Sequence, residues 1–161
     1  MTTDNTDSND DAGPIIADGT AVQQLSVFLH NRVGTLMALV RLLHENDIEV
    51  ISLSVQESTE LTVVRLILTD PELAETVFIE KGIPHAATDV VVVELPSGNE
   101  SLRRCLAALL SAEINVRLSY PVLVQTGLHP RLVLHLDDPD LGAECLERSG
   151  FRTLRQEDLS R

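Results

Sequence analysis

An internal repeat constrains this chain more than any other feature. Gln24-Leu25-Ser26-Val27-Phe28-Leu29 alternates and reads as a strand, and His30 to Thr35 follows as a short loop. Leu36, Leu39, Val40 and Leu43 then form one helical stripe, which Asn46-Asp47 ends. Ile48 to Val55 reads as a second strand, with Ile51, Leu53 and Val55 on one face and Ser52, Ser54 and Gln56 on the other. After a turn at Glu57 to Glu60, Leu61 to Leu68 is a third strand rich in β-branched residues. Asp70-Pro71 opens a second helix, with Asp at the N-cap and Pro at the first helical position, and Lys81-Gly82 closes it. A fourth strand runs from His85 to Leu95.

The second half repeats the first. Val91 to Leu95 answers Leu25 to Leu29, and Leu102, Cys105, Leu106 and Leu109 reproduce the first helical stripe. Glu113-Ile114-Asn115-Val116 answers Asp47-Ile48-Glu49-Val50, Leu132 to Leu136 is a third strand, and Asp138-Pro139-Asp140-Leu141 answers Asp70-Pro71-Glu72-Leu73. The offset is 66 residues for the early elements and 68 for the later ones, so a small insertion sits near the second turn. The order β-α-β-β-α-β, run twice, predicts an α+β chain of two ferredoxin-like units, each an antiparallel sheet with helices on one face. Ala86 to Leu95 must end the first unit and begin the second, so the two are coupled rigidly rather than strung on a linker. The predicted division is residues 21–87 and 88–161.

Residues 1–20 carry Asp4, Asp7, Asp10, Asp11 and Asp18 with no Lys or Arg. That stretch buries too little apolar surface to offset its ordering entropy and is expected to be a disordered acidic tail. The whole chain has 25 acidic against 12 basic residues, a formal net charge of -13, which repels nucleic-acid backbones and anionic lipid. With no Trp, one Tyr and three Phe, a groove of base-stacking aromatics is excluded as well. No apolar run approaches the roughly 20 residues of a membrane span. The N-terminus lacks the basic start and apolar stretch of a signal peptide. A cytoplasmic protein is expected, with no nucleic-acid or membrane partner.

Three stretches resemble tandem ACT-domain proteins, the small amino-acid-binding regulatory modules. Gln24 to Leu36 resembles the family's Asn-any-any-Gly-any-Leu ligand loop through Asn31, Gly34 and Leu36. Asn46-Asp47-Ile48-Glu49-Val50 is similar to its helix-to-second-strand turn, and Thr88-Asp89-Val90-Val91 to its unit junction. The resemblance covers residues 21–161 and implies two ACT units, the second divergent. Val33 stands where the family commonly has proline.

The expected ligand-binding residues are Asn31, Arg32, Val33, Gly34, Thr35 and Leu36, with Ser52 and Ser54 on a neighbouring strand leaving room for a ligand side chain. A helix N-terminus offers unpaired N–H groups and partial positive charge to a carboxylate. Gly34 lets a ligand approach the backbone, and Asn31 offers a donor and an acceptor. Alternatively, Asn31 is a turn or cap residue and Gly34 relieves tight strand–helix packing. The second loop is expected to be a poorer site, because Glu100 stands at the position equivalent to Gly34, and Asn99 and Ser101 can cap the helix themselves.

His30, His44, His85, His129 and His135 show no metal-ligand spacing, and Cys105 and Cys145 fall on apolar helix stripes. No metal, no cofactor and no catalytic residue is expected: phosphate-binding glycine loops and nucleophile elbows are absent. Ferredoxin-like frames do host catalysis, so the fold by itself does not decide that point. The leading expectation is a non-catalytic sensor, a homodimer that binds an amino acid or similar metabolite at the first loop and acts on a biosynthetic enzyme partner. The resemblance also implies an alternative, the regulatory small subunit of acetohydroxyacid (acetolactate) synthase.

Overall fold

The computed structural model describes residues 19–123 and 127–160. Twelve elements follow in chain order: β1 (Val22–His30), α1 (Thr35–Glu45), β2 (Val50–Glu57), β3 (Leu61–Leu68), α2 (Pro71–Lys81), β4 (His85–Glu94), α3 (Asn99–Ser111), β5 (Val116–Pro121), β6 (Arg131–Leu136), α4 (Pro139–Arg148), β7 (Thr153–Leu154) and α5 (Gln156–Leu159). The expected α+β architecture of two ferredoxin-like units holds. All pairings are antiparallel, in the order β2-β3-β1-β4-β6-β5, with β7 also on β4.

The strand β4 belongs to both units. His85 to Val90 pair with β1, while Val91 to Glu94 pair with β6 and Val92–Val93 with β7. Each unit therefore has the same strand order, β2-β3-β1-β4 in the first and β5-β6-β4-β7 in the second. The helices α1 and α2 cover one face of the first sheet through Leu39, Leu43, Ala74 and Phe78, packed on Leu25, Val27, Val64 and Leu66. In the second, α3 and α4 place Cys105, Leu109 and Leu146 on Val91, Val93 and Leu134.

A third core lies between the helix-free faces of the two sheets, built from Val22, Ile51, Ile67, Val90, Val92, Tyr120, Val133, Leu154 and Leu159. The ribbon of strands curls about β4, so its edge strands meet: Leu123 N–H donates to Ile51 O at 3.0 Å, and the Ser52 hydroxyl donates to Pro121 O. This explains the run Val90–Val93, which is buried on both faces. Helix α5 closes the open end of this core. Leu159 packs into it, Gln156 N–H donates to Thr20 O at 2.9 Å, and the Gln156 side-chain amide donates to Leu68 O at 3.0 Å.

Several expectations need correcting. Strand β2 does not alternate evenly: its register with β3 shifts between Val50 and Ser52. That bulge turns Ile51 into the inter-sheet core while Leu53 packs with the helix-side core, so the two do not share a face. Strand β5 carries the same irregularity between Val116 and Leu118, with Arg117 at the equivalent position. Residues 1–18 of the predicted acidic tail lie outside the described residues. Thr20 does not belong to a free tail, since its N–H donates to the Glu157 carboxylate and its carbonyl holds α5.

The repeat reaches into the helix ends. Ile48 N–H donates to Leu43 O and Ile114 N–H to Leu109 O, each closing its helix through a positive-φ acidic residue, Asp47 or Glu113. At the other helices, Asp70 accepts Leu73 N–H at 3.0 Å and Asp138 accepts Leu141 N–H at 2.9 Å, each before a proline. Replacing Asp70 or Asp138 by Ala is expected to lower unfolding free energy by about 1 kcal/mol each. The two sites lie in different units, so urea denaturation of the double variant should show nearly the sum.

Candidate functional site

The loop between β1 and α1 is locked by its own short-range bonds. Arg32 N–H donates to His30 O at 2.8 Å, and Thr35 N–H donates to Arg32 O at 3.3 Å. The Thr35 hydroxyl donates to Arg32 O and lies 3.2 Å from His30 O. Gly34 is the N-cap of α1 at φ 88° and ψ -7°, a left-handed conformation that glycine adopts without the steric cost of a side chain. No heavy atom lies within 4 Å of where a Cβ would sit, so the glycine relieves no packing clash. It leaves an opening instead.

No side chain caps α1, and its first turn holds no acidic residue. The first intrahelical bond runs from Ala38 N–H to Gly34 O, which leaves the amides of Leu36 and Met37 at the mouth of the loop. Arg32 and Val33 stand exposed beside them. The Asn31 side-chain amide donates to Glu57 Oε1 at the end of β2. Glu57, which the sequence pattern marks only as a turn residue, thus brings a carboxylate to a loop whose other side is a positive helix end. A groove of about 450 Å³ adjoins the loop at Thr35. Leu29, Ala38, Leu42 and Ile83 form its apolar wall, and Arg41, Glu45 and Lys81 its charged rim.

The structure brings Asn31, Arg32, Val33, Gly34, Thr35 and Leu36 together and separates Ser52 and Ser54 from them. Strand β3 lies between β1 and β2. Ser52 is fully buried against Pro121 of the second unit, and Ser54 is half-buried opposite Arg65. Neither serine makes room at the loop. The bond that buries Ser52 comes from a strand 69 residues away, which no local pattern reveals.

The second loop departs from the expected alignment. The N-cap of α3 is Gly98 at φ 56°, so Gly98, and not Glu100, is the counterpart of Gly34. Both loops hold four residues and end in a positive-φ glycine, because β4 stops two residues sooner, and α3 starts two residues sooner, than the 66-residue offset predicts. Asn99 and Ser101 do not cap α3 from outside: both lie within it, and Ser101 is buried, accepting Ser97 N–H at 3.0 Å. Glu100 lies in the first turn and pairs with Arg103 at 2.9 Å, which holds its carboxyl below the usual range. A carboxylate occupies the first turn of α3 and none occupies that of α1.

Among the described residues, no group of three or more His, Cys, Asp or Glu side chains is placed to hold a metal ion. No helix among them is long and apolar enough to cross a membrane. Cys105 is buried in the α3–α4 core, where burial and then its neighbour Cys145 push its thiol up to about 11.

A search of curated proteins finds no match. Among solved structures, a protein from Bacteroides thetaiotaomicron is similar at a TM-score of 0.81 and 23% identity, over 89% of this chain and 98% of that one. The ligand-free regulatory subunit of aspartate kinase from Thermus thermophilus is similar at a TM-score of 0.55 and 12% identity, over 82% of this chain and 94% of that one. The corresponding subunit from Thermus flavus gives 0.51 and 13%, over 81% and 94%. These likenesses concern the fold. Residues 20–161 match the family described as ACT domain pair, whose units are regulatory, amino-acid-binding modules, and the chain belongs to that family.

Proposed function

We propose that the first unit, residues 21–87, senses an amino acid at the β1–α1 loop, and that the divergent second unit, residues 88–161, completes the scaffold. The observation that carries this is the uncapped start of α1 beneath the bare Gly34. A ligand carboxylate would take the Leu36 and Met37 amides, with Arg32 at the rim, and its ammonium would face the Asn31–Glu57 pair. The apolar wall of Leu29, Ala38 and Leu42 favours an aliphatic side chain.

Around the same loop, Phe28, Val33, Leu36, Met37, Val55 and Leu61 leave large apolar side chains exposed. A second copy seated there would bury them and make the ligand part of a homodimer contact. Ligand binding would then bias assembly by its differential affinity for the two states. Its target would be an amino-acid biosynthetic enzyme. The T. thermophilus aspartate kinase regulatory subunit, which shares this architecture over 94% of its length, supports that choice of partner class.

The test is thermal denaturation of the full chain against each of the twenty amino acids. A ligand at about 100 times its Kd stabilises the native state by about 2.7 kcal/mol. For a chain of this size, that raises Tm by about 5–10 °C. Gly34→Asp should remove the ligand-induced rise. Its own Tm falls too, because a side chain at φ 88° is strained by about 1–2 kcal/mol, so the reading is the rise and not the absolute value. A flat screen, or a rise that survives Gly34→Asp, contradicts the proposal.

A further inference from the structure

The core between the two sheets is apolar at the α5 end and polar at the other. Tyr120 marks the boundary: its hydroxyl donates to Gln24 Oε1 at 2.8 Å, linking the sheets, and Gln24 is only 1% exposed. Beyond that bridge the first sheet presents a row of Ser26, Arg65 and Ser54, fixed by register on the face opposite the helices. The second sheet answers with His135, opposite Leu118, and with Arg117 at the β5 bulge. Ser26, Ser54, Arg65 and His135 are all half-buried.

Cations without an ion-pair partner among the described residues are found elsewhere too, at Arg32, Arg41, Lys81 and Arg104, but here two of them lie near one imidazole. The chain has 25 acidic and 12 basic residues, and Arg131, Arg152 and Arg155 all ion-pair with carboxylates. Among the described residues, no carboxylate ion-pairs with Arg65 or Arg117. Among the described residues, the one polar partner of the Arg65 guanidinium is the neutral Gln56 Oε1 at 3.1 Å. Burial, then the Arg117 and Arg65 charges, hold His135 below its ordinary value, so both cations lie within electrostatic reach of one imidazole. The Arg65 charge also reaches Tyr120. The Arg65 side chain is half-buried while its guanidinium bond to Gln56 is exposed, which leaves a planar fork, with no carboxylate partner among the described residues, accessible to a carboxylate or phosphate.

We propose that this polar end of the inter-sheet interface is a binding site for a small anion, the carboxylate or phosphate group of a metabolite. Arg65 grips it from the first unit, Arg117 and His135 approach from the second, and the Ser26 and Ser54 hydroxyls donate from the strands on either side of Arg65. The site lies on the helix-free face and owes nothing to the Gly34 loop. Because the anion touches both sheets, its binding holds the two units together.

The chain supplies its own probe, since Tyr120 is its single tyrosine and it has no tryptophan. The full chain is titrated with inorganic phosphate, and separately with citrate, at pH 7 and constant ionic strength set with chloride. Tyr120 emission and the His135 ring-proton resonance, assigned by its loss in His135→Gln, are followed together. The expected result is a saturable change in both signals with one midpoint, and an upward shift of the His135 titration when the anion is bound. The tighter of the two titrants identifies phosphate or carboxylate as the preferred group. Arg65→Gln should weaken the midpoint at least tenfold and Arg117→Gln severalfold, while Gly34→Asp leaves it unchanged. A change linear in either anion, or a midpoint that Arg65→Gln leaves in place, overturns the proposal. Should Arg65→Gln not fold by circular dichroism, Arg117→Gln on the exposed bulge decides, and an unchanged midpoint there counts against the site.

Discussion

Glu94→Ala is expected to destabilise the protein by about 3–5 kcal/mol, the range for removing one partner of a buried ion pair. Glu94 is the last residue of β4 and sits directly across from Arg131 on β6. The two side chains are only 10% and 12% exposed, and Arg131 Nη2 lies 3.1 Å from Glu94 Oε1. Arg131 Nε reaches the same oxygen at 3.3 Å, and Arg152 approaches it at 3.5 Å from the segment before β7. Truncating Glu94 strands the Arg131 guanidinium in a low-dielectric setting with no acceptor charge, and that desolvation is the main part of the loss. The pair itself is worth far less than its breakage. Glu94→Met combined with Arg131→Met should therefore recover most of the deficit. Urea denaturation of the wild type, Glu94→Met, Arg131→Met and their combination in a double-mutant cycle measures it, and a double variant no more stable than Glu94→Met would refute the reading.

What the sequence makes legible is whatever repeats locally. The caps at Asp70-Pro71 and Asp138-Pro139, the two helix stripes and the shared strand from Ala86 onward are all set by residues close in sequence, and each stands where its pattern places it. What stays hidden depends on the other half of the molecule. The bulge at Ile51 aims a side chain at a core completed by Val133 and Leu159, so even alternation was the wrong guide there. The repeat offset sets Glu100, and not Gly98, against Gly34, because Leu29 and Leu95 align at it while the chain leaves β4 two residues sooner. Helix α5 has four residues, too few to show a period, and Gln156 earns its burial only from the carbonyl of Leu68. At the candidate loop, Asn31 and Gly34 were readable as a motif, whereas Glu57 became part of it only through its bond to Asn31.

Phe78→Ala should cost about 3–5 kcal/mol, a large share of the 5–15 kcal/mol that holds a typical domain together. Phe78 is fully buried and packs among Leu25, Val64, Leu66 and Leu68 in the helix-side core of the first unit. Its ring lies 5.4 Å from that of His85, at the start of β4, and its carbonyl accepts Ile83 N–H at 2.8 Å where α2 ends. An alanine there removes the ring that sets α2 on the sheet and leaves a cavity that backbone bonds on both sides keep from collapsing. The lesion belongs to the first unit, yet β4 is the sheet partner of both β1 and β6, and the core between the sheets draws on both units. Losing the first sheet would expose Val90 and Val92 and free Tyr120 from Gln24. Unfolding is therefore expected to remain one transition at a lower urea midpoint with an unchanged slope, seen alike by far-ultraviolet circular dichroism and by Tyr120 emission from the second unit. If Tyr120 kept its wild-type midpoint while the circular dichroism midpoint fell, the two units would be independent domains and the shared strand would be only a geometric coincidence.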